Sequence, residues 1–269
     1  MKSPARIVSL APSATSIVCA LGAEESLVGV TRWCKDVAPV DHLPSLGDCW
    51  RCDPAAVAAL RPDLVIGSIP YKVETVDGLL RRGFTFLAMN PRSLVDISSD
   101  ILLLGRLLGR ERRANALARN MEERMQRIAA RARRARRKPR VYIEIWSNPF
   151  IVAPRWVAEM VALAGGRFVP VPESDAARIV EEHDVLRARP EIIILAWAAC
   201  GMRVNAKKVL QRPAWSQLPA VRRHQVYIVS YEAVNTPGPP VMAGLERLGR
   251  IIHPEIFGPP EDDKVRRVV

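Results

Sequence analysis

Aromatic residues are scarce in this chain, and the common catalytic motifs are missing. Phe, Trp and Tyr together make up 6% of its 269 residues. The sequence contains no G-x-S-x-G nucleophile elbow, no G-x-x-x-x-G-K-S/T phosphate loop, no G-x-G-x-x-G after the first apolar run and no H-E-x-x-H metal motif. With four histidines in total, a histidine acid or base is hard to place. These absences argue against an enzyme and leave no catalytic residue to predict.

Long apolar runs are also missing, since no stretch of about 20 apolar residues is present to span a membrane. The segment before Ile7 is basic but has no separate apolar region with a cleavage site, and Ile7 to Leu10 already form the first predicted strand. The five cysteines are an odd number, which suits reduced thiols better than a disulfide framework. We therefore expect a cytoplasmic protein, with a periplasmic location as the alternative if the start codon is misassigned.

The net charge of +12 is concentrated in one segment. Between Arg124 and Arg140, eight arginines and one lysine occur with no acidic residue. The solvated face and C-terminal end of a helix explain this run, because cations there interact favourably with the helix dipole. Attraction to an anionic ligand or surface is the alternative. We predict a monomer with no nucleic-acid partner.

One strand-and-helix pattern occurs twice, about 130 residues apart. The first copy starts at Arg6 and the second at Arg140. Each contains a proline that ends a helix directly before an apolar strand. These segments are Leu60-Arg61-Pro62-Asp63-Leu64-Val65-Ile66 and Ala188-Arg189-Pro190-Glu191-Ile192-Ile193-Ile194-Leu195. Helices that separate short strands in this way predict parallel sheets.

Between the two copies, Glu111 to Arg137 contain no proline or glycine and are rich in helix formers. The predicted fold class is therefore α/β, with two similar lobes of mostly parallel sheets flanked by helices. One long connecting α-helix joins the lobes, and a ligand cleft is expected between them. The expected divisions are an N-terminal α/β lobe at 1–110, the connecting helix at 111–138, a C-terminal α/β lobe at 139–258 and a charged, frayed tail at 259–269.

The few aromatic residues fall mainly in loops that follow predicted strands. Large flat side chains at such points suit a large, flat or greasy ligand. The predicted ligand-binding residues are Trp33, Trp50, Tyr71, Trp146, Phe150, Trp197 and Tyr231, with Asn235 from the proline-rich loop before the last helix. Scattered core packing is the alternative for the rings, and a plain helix-entry turn is the alternative for Asn235.

Three cysteines and one histidine lie close together in the first half of the chain: Cys34, His42, Cys49 and Cys52. Four interpretations are open for them. The first three are a structural zinc site, a redox pair and ordinary loop residues. In the fourth interpretation, the thiol of Cys34 or the imidazole of His42 faces the metal of a bound chelate.

Several segments resemble the helical-backbone metal-receptor superfamily, the substrate-binding proteins that deliver vitamin B12, ferric siderophores and heme to ABC importers. The matching segments are Arg6-Ile7-Val8-Ser9-Leu10-Ala11-Pro12-Ser13-Ala14-Thr15, Val28-Gly29-Val30-Thr31, Leu60 to Ile66, Trp146-Ser147-Asn148-Pro149-Phe150 and Ala164-Gly165-Gly166. The cobalamin-binding branch is the most similar. The resemblance implies non-enzymatic binding of a cobalamin-like corrinoid, with Trp33, Phe150 and Tyr231 at cleft positions and no catalytic cofactor.

The chain departs from this branch at the residues that dock on a permease. Importer-delivering members carry a glutamate near the start of the helix before each proline-stopped strand, and here Ala55 and His183 stand at those positions. We therefore expect a cytosolic corrinoid binder for storage, trafficking or sensing. The alternative is the solute-binding component of an ABC importer for vitamin B12, a ferric siderophore or heme. A third hypothesis is a corrinoid- or tetrapyrrole-processing enzyme with Cys34 or His42 as a metal ligand.

Overall fold

Two units of α/β structure make up the chain. The computed structural model describes residues 4–46, 52–69, 72–171, 177–260 and 263–268. The first unit comprises residues 1–91, 95–121 and 237–239, and the second comprises 92–94, 122–236 and 240–269. One long helix runs from the first unit into the second. Both units are α/β, as the sequence predicts.

The first unit is built on a parallel sheet. Its elements are β1 (Ile7–Ser9), α1 (Pro12–Ala20), β2 (Leu27–Val30), α2 (Pro54–Ala59), β3 (Leu64–Ser68), α3 (Val73–Leu80), β4 (Phe86–Met89), α4 (Leu94–Leu107) and α5 (Glu111–Ala132), the last of which continues into the second unit. The strands are ordered β2-β1-β3-β4, and all three described pairings are parallel. Val8, Val57, Val65 and Leu79 form part of the core of this unit.

The second unit is built on a mixed sheet. Its elements are β5 (Arg140–Ser147), β6 (Phe150–Val152), α6 (Arg155–Leu163), β7 (Arg167–Phe168), β8 (Arg178–Ile179), α7 (Glu182–Ala188), β9 (Ile192–Leu195), α8 (Ala206–Leu210), α9 (Pro219–Arg222), β10 (Val226–Val229), α10 (Tyr231–Asn235), α11 (Val241–Ile252), α12 (Pro254–Phe257) and β11 (Val265–Arg267). The strand order is β11-β10-β9-β5-β6-β8, with β7 paired to the start of β5.

The parallel part of the second sheet has the same strand order as the first sheet. Strands β7, β5, β9 and β10 pair in parallel in that order, as β2, β1, β3 and β4 do. The antiparallel strands β6, β8 and β11 are additions to this shared arrangement. A duplicated strand order is what the repeated sequence pattern predicts.

The residues before each central strand also repeat their contacts. In the first unit, Asp63 Oδ2 accepts a hydrogen bond from the backbone N–H of Arg6 at 3.0 Å, and the Arg6 guanidinium donates to the Leu60 carbonyl. In the second, Glu191 Oε2 accepts from the backbone N–H of Arg140 at 3.1 Å, and the Arg140 Nε donates to the Arg189 carbonyl. The acid after each proline therefore ties down the start of the first strand of its unit.

The same repeat holds for the backbone of the two proline-stopped helices. Arg61 has a φ of 46° and Arg189 a φ of 47°, so both adopt the left-handed conformation after their helices end. This conformation costs a non-glycine residue free energy, and it is tolerated here because the next residue, Pro62 or Pro190, prevents the helix from continuing.

Two details of the expected chain course are wrong. The tail predicted to fray contains β11, which pairs antiparallel to β10, with Val229 opposite Val265. Pairing is favourable because Val265 is 8% exposed and covers an edge of the sheet. The connecting helix ends at Ala132 and not near Arg137. No helix among the described residues is both long enough and apolar enough to span a bilayer.

Candidate functional site

The carboxyl ends of the parallel strands line one edge of each sheet, here called its carboxyl edge, where α/β proteins place their ligands. At the carboxyl edge of the first sheet, Trp33 follows β2 and is half-buried. The guanidinium carbon of Arg32 lies 4.7 Å from the centre of the Trp33 ring, within cation–π range. This edge therefore presents an aromatic ring with a cation stacked on it.

Small polar side chains surround Cys34, the residue after Trp33, in the interior of the first unit. The Sγ of Cys34 is 3.1 Å from Thr15 Oγ1 and 3.2 Å from Thr31 Oγ1, and Thr15 Oγ1 is 2.8 Å from Ser9 Oγ. Cys34 has no exposed surface. Burial raises the pKa of its thiol, and the hydrogen bonds from the two threonines oppose that rise in part. A neutral, enclosed thiol is a poor metal ligand, so Cys34 acts here as a core residue.

The other members of the predicted metal set do not join Cys34. His42 lies exposed in a turn, Cys52 is buried with its Sγ 3.9 Å from the Asp53 carbonyl, and Cys49 lies outside the described residues. Within the ranges that the structure describes, no group of three or more His, Cys, Asp and Glu side chains is arranged to hold a metal ion. No zinc site is therefore proposed.

At the carboxyl edge of the second sheet, the β5–β6 hairpin and the start of α10 carry three of the predicted rings. Trp146, near the end of β5, is 43% exposed, and its Nε1–H donates to the Asn148 carbonyl at 2.9 Å. Phe150 begins β6, Tyr231 begins α10 directly after β10, and both are half-buried. The polar end of the Trp146 indole is thus satisfied, while much of its apolar face remains exposed.

A buried ion pair lies behind this edge and was not foreseen from the sequence. Glu144 has no exposed surface, and its carboxylate accepts two hydrogen bonds from Arg212, at 2.9 and 3.1 Å. The Tyr142 hydroxyl and the Trp197 Nε1–H also donate to it, at 2.8 and 3.0 Å. Burial and the neighbouring Glu144 carboxylate raise the pKa of Tyr142 well above its usual value. Four donated hydrogen bonds replace the hydration that the carboxylate loses.

Aromatic rings enclose the guanidinium of Arg212. Its central carbon lies 4.1 Å from the centre of the Phe150 ring and 4.2 Å from the Trp215 ring. Phe150 and Trp215 also meet edge to face, with ring centres 6.0 Å apart. The ion pair therefore fixes the ring of Phe150 at the carboxyl edge. A sequence signal for this cluster exists, because Glu144 is the one acid in the apolar run Val141 to Ile145 and a carboxylate there requires a cation.

The remaining predicted ligand residues differ in their surroundings. Trp197 is 7% exposed and bonded to Glu144, so it offers little surface to a ligand. Asn235 is 8% exposed, and its Oδ1 has no hydrogen-bond partner among the described residues. Trp50 and Tyr71 lie outside the described residues. The ligand-binding role assigned to each of these residues stays a prediction.

The two helix starts that correspond to the permease-docking positions of the resembled branch also differ. In α2, Ala55 is exposed and its N–H donates to Asp53 Oδ1 at 2.8 Å, which makes Asp53 the helix cap. In α7, Glu182 and His183 are exposed, and His183 Nε2 lies 3.2 Å from Asp184 Oδ1. Only the second of these two helix starts presents a glutamate in its first turn.

Comparison with known proteins identifies relatives along nearly the whole chain. Residues 7–232 match the model of the family described as periplasmic binding protein. An uncharacterized ABC transporter substrate-binding lipoprotein of Bacillus subtilis is 28% identical over 95% of this chain and 82% of its own. A vitamin B12-binding protein of Vibrio cholerae is 25% identical over 90% of this chain and 87% of its own.

The fold agrees with a solved relative. The crystal structure of a periplasmic heme-binding protein from Pseudomonas aeruginosa superposes with a TM-score of 0.84 at 25% identity, covering 97% of each chain. The predicted two-lobed α/β fold is therefore confirmed. The predicted cytoplasmic location is wrong, because the relatives include a lipoprotein of an ABC transporter and a periplasmic protein. The chain belongs to the periplasmic binding protein family.

Proposed function

We propose that the chain is the solute-binding component of an ABC importer and that its solute is a corrinoid of the cobalamin kind. The family match and the names of the relatives support the importer role. This role replaces the storage, trafficking or sensing function expected from the sequence, which required a cytosolic protein. Binding and release of an intact chelate need no catalytic group.

The observation that carries the ligand proposal is the exposed ring of Trp146 at the carboxyl edge of the second sheet. A tryptophan that is 43% exposed and whose N–H is already bonded offers a large apolar surface with few rotors to freeze on binding. Phe150 and Tyr231 lie at the same edge, and Trp33 lies at the carboxyl edge of the first sheet. We propose these four rings as contacts for the corrin.

Heme is the second candidate solute, and Arg32 is the observation that favours it. Heme carries two propionate carboxylates, whereas the periphery of the cobalamin corrin carries amides. A guanidinium stacked on Trp33 suits a flat ligand with an anionic margin. The solved relative from Pseudomonas aeruginosa is named a heme-binding protein.

The proposed partner is an ABC permease that binds the helix start of the second unit through a charged residue and that of the first unit without one. Glu182, exposed in the first turn of α7, is a charged anchor, and Ala55 in α2 provides none. Charged groups at an interface fix its register and raise the association rate. We propose that docking depends on the α7 side, so that Glu182→Gln lowers uptake of the solute while solute binding is unchanged.

Titration of the purified chain tests the proposal. Cyanocobalamin, cobinamide, heme and a ferric hydroxamate siderophore are added separately, and ligand absorbance and tryptophan fluorescence are followed. We expect saturable binding of both corrinoids with micromolar or tighter dissociation constants. Saturation by heme alone selects the second candidate, and no saturable change with any of the four contradicts the proposal.

Two substitutions test the ring that carries the proposal. Trp146→Ala is expected to weaken the preferred chelate by about tenfold, as truncation of a central aromatic contact does, and Trp146→Phe to retain most of the affinity. The matched control is Leu80→Ala, an apolar residue that is 53% exposed at the end of α3, on the side opposite the carboxyl edge of the first sheet. Equal losses in Trp146→Ala and Leu80→Ala contradict a role for the ring.

A further inference from the structure

The C-terminal half of α5 presents a row of cations within the second unit. Arg124, Arg127 and Arg131 are three and four residues apart, so their side chains lie on one face of the helix. On α11, Glu246 and Arg250 are also four residues apart, and Arg124 bonds to Glu246 at 2.6 Å. The helices α5 and α11 therefore bring several guanidinium groups to one place.

A cavity of about 300 Å³ lies among these side chains. Its charged lining consists of Arg124, Arg127, Arg131 and Arg250, with Glu246 as the only acid and Phe257 as an aromatic wall. We call it the arginine cavity. Four cations and one carboxylate leave it with an excess of positive charge, and a concave surface concentrates the resulting field.

Two of the four arginines are already held in place. Arg124 is bonded to Glu246, and Arg131 donates to the Ile256 carbonyl at 2.7 Å while its guanidinium lies 4.6 Å from the centre of the Phe257 ring. The other two have little compensation. Arg127 reaches only Glu123, at 3.9 Å, and Arg250 has no carboxylate partner among the residues that the structure describes. Two guanidiniums that are held in place and two that have little compensation together favour an incoming anion.

Two other basic cavities among the described residues are better neutralised. A cavity of about 500 Å³ is lined in part by Arg137 and Arg223, but both lie within ion-pair distance of Glu191. In a third cavity, at the start of α5, Arg110 pairs with Glu25, and Arg113 donates to the Leu21 carbonyl. Among these three cavities, the arginine cavity has the largest excess of arginines over acids in its lining.

We propose that the arginine cavity binds a multiply charged phosphate group, independently of the chelate at the carboxyl edges. The planar forks of guanidiniums match phosphate oxygens in pairs, and several arginines around one cavity suit a dianion or higher better than a single carboxylate. Binding neutralises the positive charge that Arg127 and Arg250 bring to the cavity and so stabilises the second unit. The phosphate is supplied either by a soluble oligophosphate or by the headgroups of anionic phospholipids.

The test uses the full chain at low ionic strength, with two probes. Sodium pyrophosphate is titrated by calorimetry and by its effect on the melting temperature, and phosphatidylcholine vesicles with and without phosphatidylglycerol are used in flotation. The site variant is Arg127→Gln/Arg250→Gln. The control is Arg187→Gln/Arg222→Gln, which removes the same charge from exposed positions outside the arginine cavity.

We expect the site variant to weaken pyrophosphate binding by at least about tenfold, because two charge-assisted contacts are lost, and the control to change it by less than about twofold. This result assigns a soluble oligophosphate as the source. The lipid headgroup is the source if three results are obtained together. The chain floats with phosphatidylglycerol vesicles, only the site variant loses this flotation, and pyrophosphate competes with it.

Three outcomes overturn the proposal: neither probe binds at low ionic strength, the site and control variants lose binding equally, or the site variant binds as the unaltered chain does. Thermal unfolding of both variants without ligand, expected to match the unaltered chain closely, shows that any loss is not caused by misfolding.

Discussion

The two units share their strand order but differ at their carboxyl edges. Both units tie the first strand to an acid that follows a proline, through Arg6 and Asp63 in one and Arg140 and Glu191 in the other. Behind the carboxyl edge, however, the first unit packs hydroxyl groups around Cys34, and the second buries an ion pair between aromatic rings. The duplicated scaffold therefore fixes where an edge lies, and it leaves the chemistry of each edge free to vary.

The difference between the edges has a physical cause in the β5–β6 hairpin. In the second unit, the antiparallel strand β6 returns from the end of β5 and brings Phe150 close to Arg212. In the first unit, the corresponding side of β1 is occupied by the parallel strand β2, after which the chain continues to Trp33. One inserted hairpin thus allows the second unit to cover a buried charge, and no such charge occurs among the described residues of the first unit.

The largest effect is expected from breaking the ion pair in the second unit. Arg212→Ala leaves the Glu144 carboxylate buried without a cation, which costs about 3–5 kcal/mol of the free energy of unfolding. Urea denaturation measures this loss. The double variant Glu144→Gln/Arg212→Met should regain much of it, because glutamine buries no charge and still bonds to Trp197 and Tyr142. A loss below about 1 kcal/mol in Arg212→Ala would mean that the pair behaves as a solvent-exposed one.

A smaller loss of stability is expected from substituting Glu191 or Asp63, the acids that occupy equivalent positions in the two units. The Glu191 side chain is 12% exposed and lies near Arg137, Arg140 and Arg223, so Glu191→Gln is expected to cost about 1–2 kcal/mol. Asp63 is exposed and accepts hydrogen bonds from two backbone N–H groups. Asp63→Asn should therefore lower the free energy of unfolding by less than about 1 kcal/mol. Chemical denaturation of both variants checks the order, and the reverse order contradicts it.

The polar interior of the first unit should be less sensitive than that of the second. Thr15→Val removes one hydroxyl of similar volume from the contacts with Ser9 and Cys34, and we expect a loss of about 1 kcal/mol. Differential scanning calorimetry gives the comparison with Arg212→Ala. If Thr15→Val is the more damaging substitution, the two interiors do not differ in the way described.

The last prediction is a pH dependence of stability that arises in the first unit. Burial, with a contribution from Asp96, raises the pKa of Asp100 on α4 to about 6. A carboxyl with a folded pKa above its unfolded pKa favours the folded state when protonated, so its contribution is lost as the pH rises from about 4 to about 6. Asp100→Asn should raise the melting temperature at pH 7 more than at pH 4. An equal change at both pH values would show that Asp100 titrates normally.

The sequence predicts the scaffold well because its signals are local. Asp53 and Pro54 mark the start of α2 by capping and by a fixed φ, and the structure places them at those positions. Both proline-stopped helices and the strands after them can likewise be predicted from the sequence, because each depends on residues within one turn.

The interior of the second unit is not local and was missed for that reason. Arg212 meets Glu144 across 68 residues of sequence, and no short-range pattern indicates that pairing. Trp197 follows a strand as the other ligand candidates do, yet its ring is buried because its N–H donates a hydrogen bond to the Glu144 carboxylate. The predicted cytoplasmic location is wrong because the first residues of the sequence do not establish where the protein resides, and the relatives include a lipoprotein of an ABC transporter and a periplasmic protein.

The most direct test of the central claim measures cyanocobalamin binding to one ring variant from each unit. Calorimetric titration of Trp33→Ala and Trp146→Ala is compared with the unaltered chain and with Thr15→Val, which changes only the interior. We predict that each tryptophan variant binds about tenfold more weakly and that Thr15→Val binds as the unaltered chain does. Unchanged affinity in both tryptophan variants would contradict the claim that rings at the carboxyl edges hold the chelate.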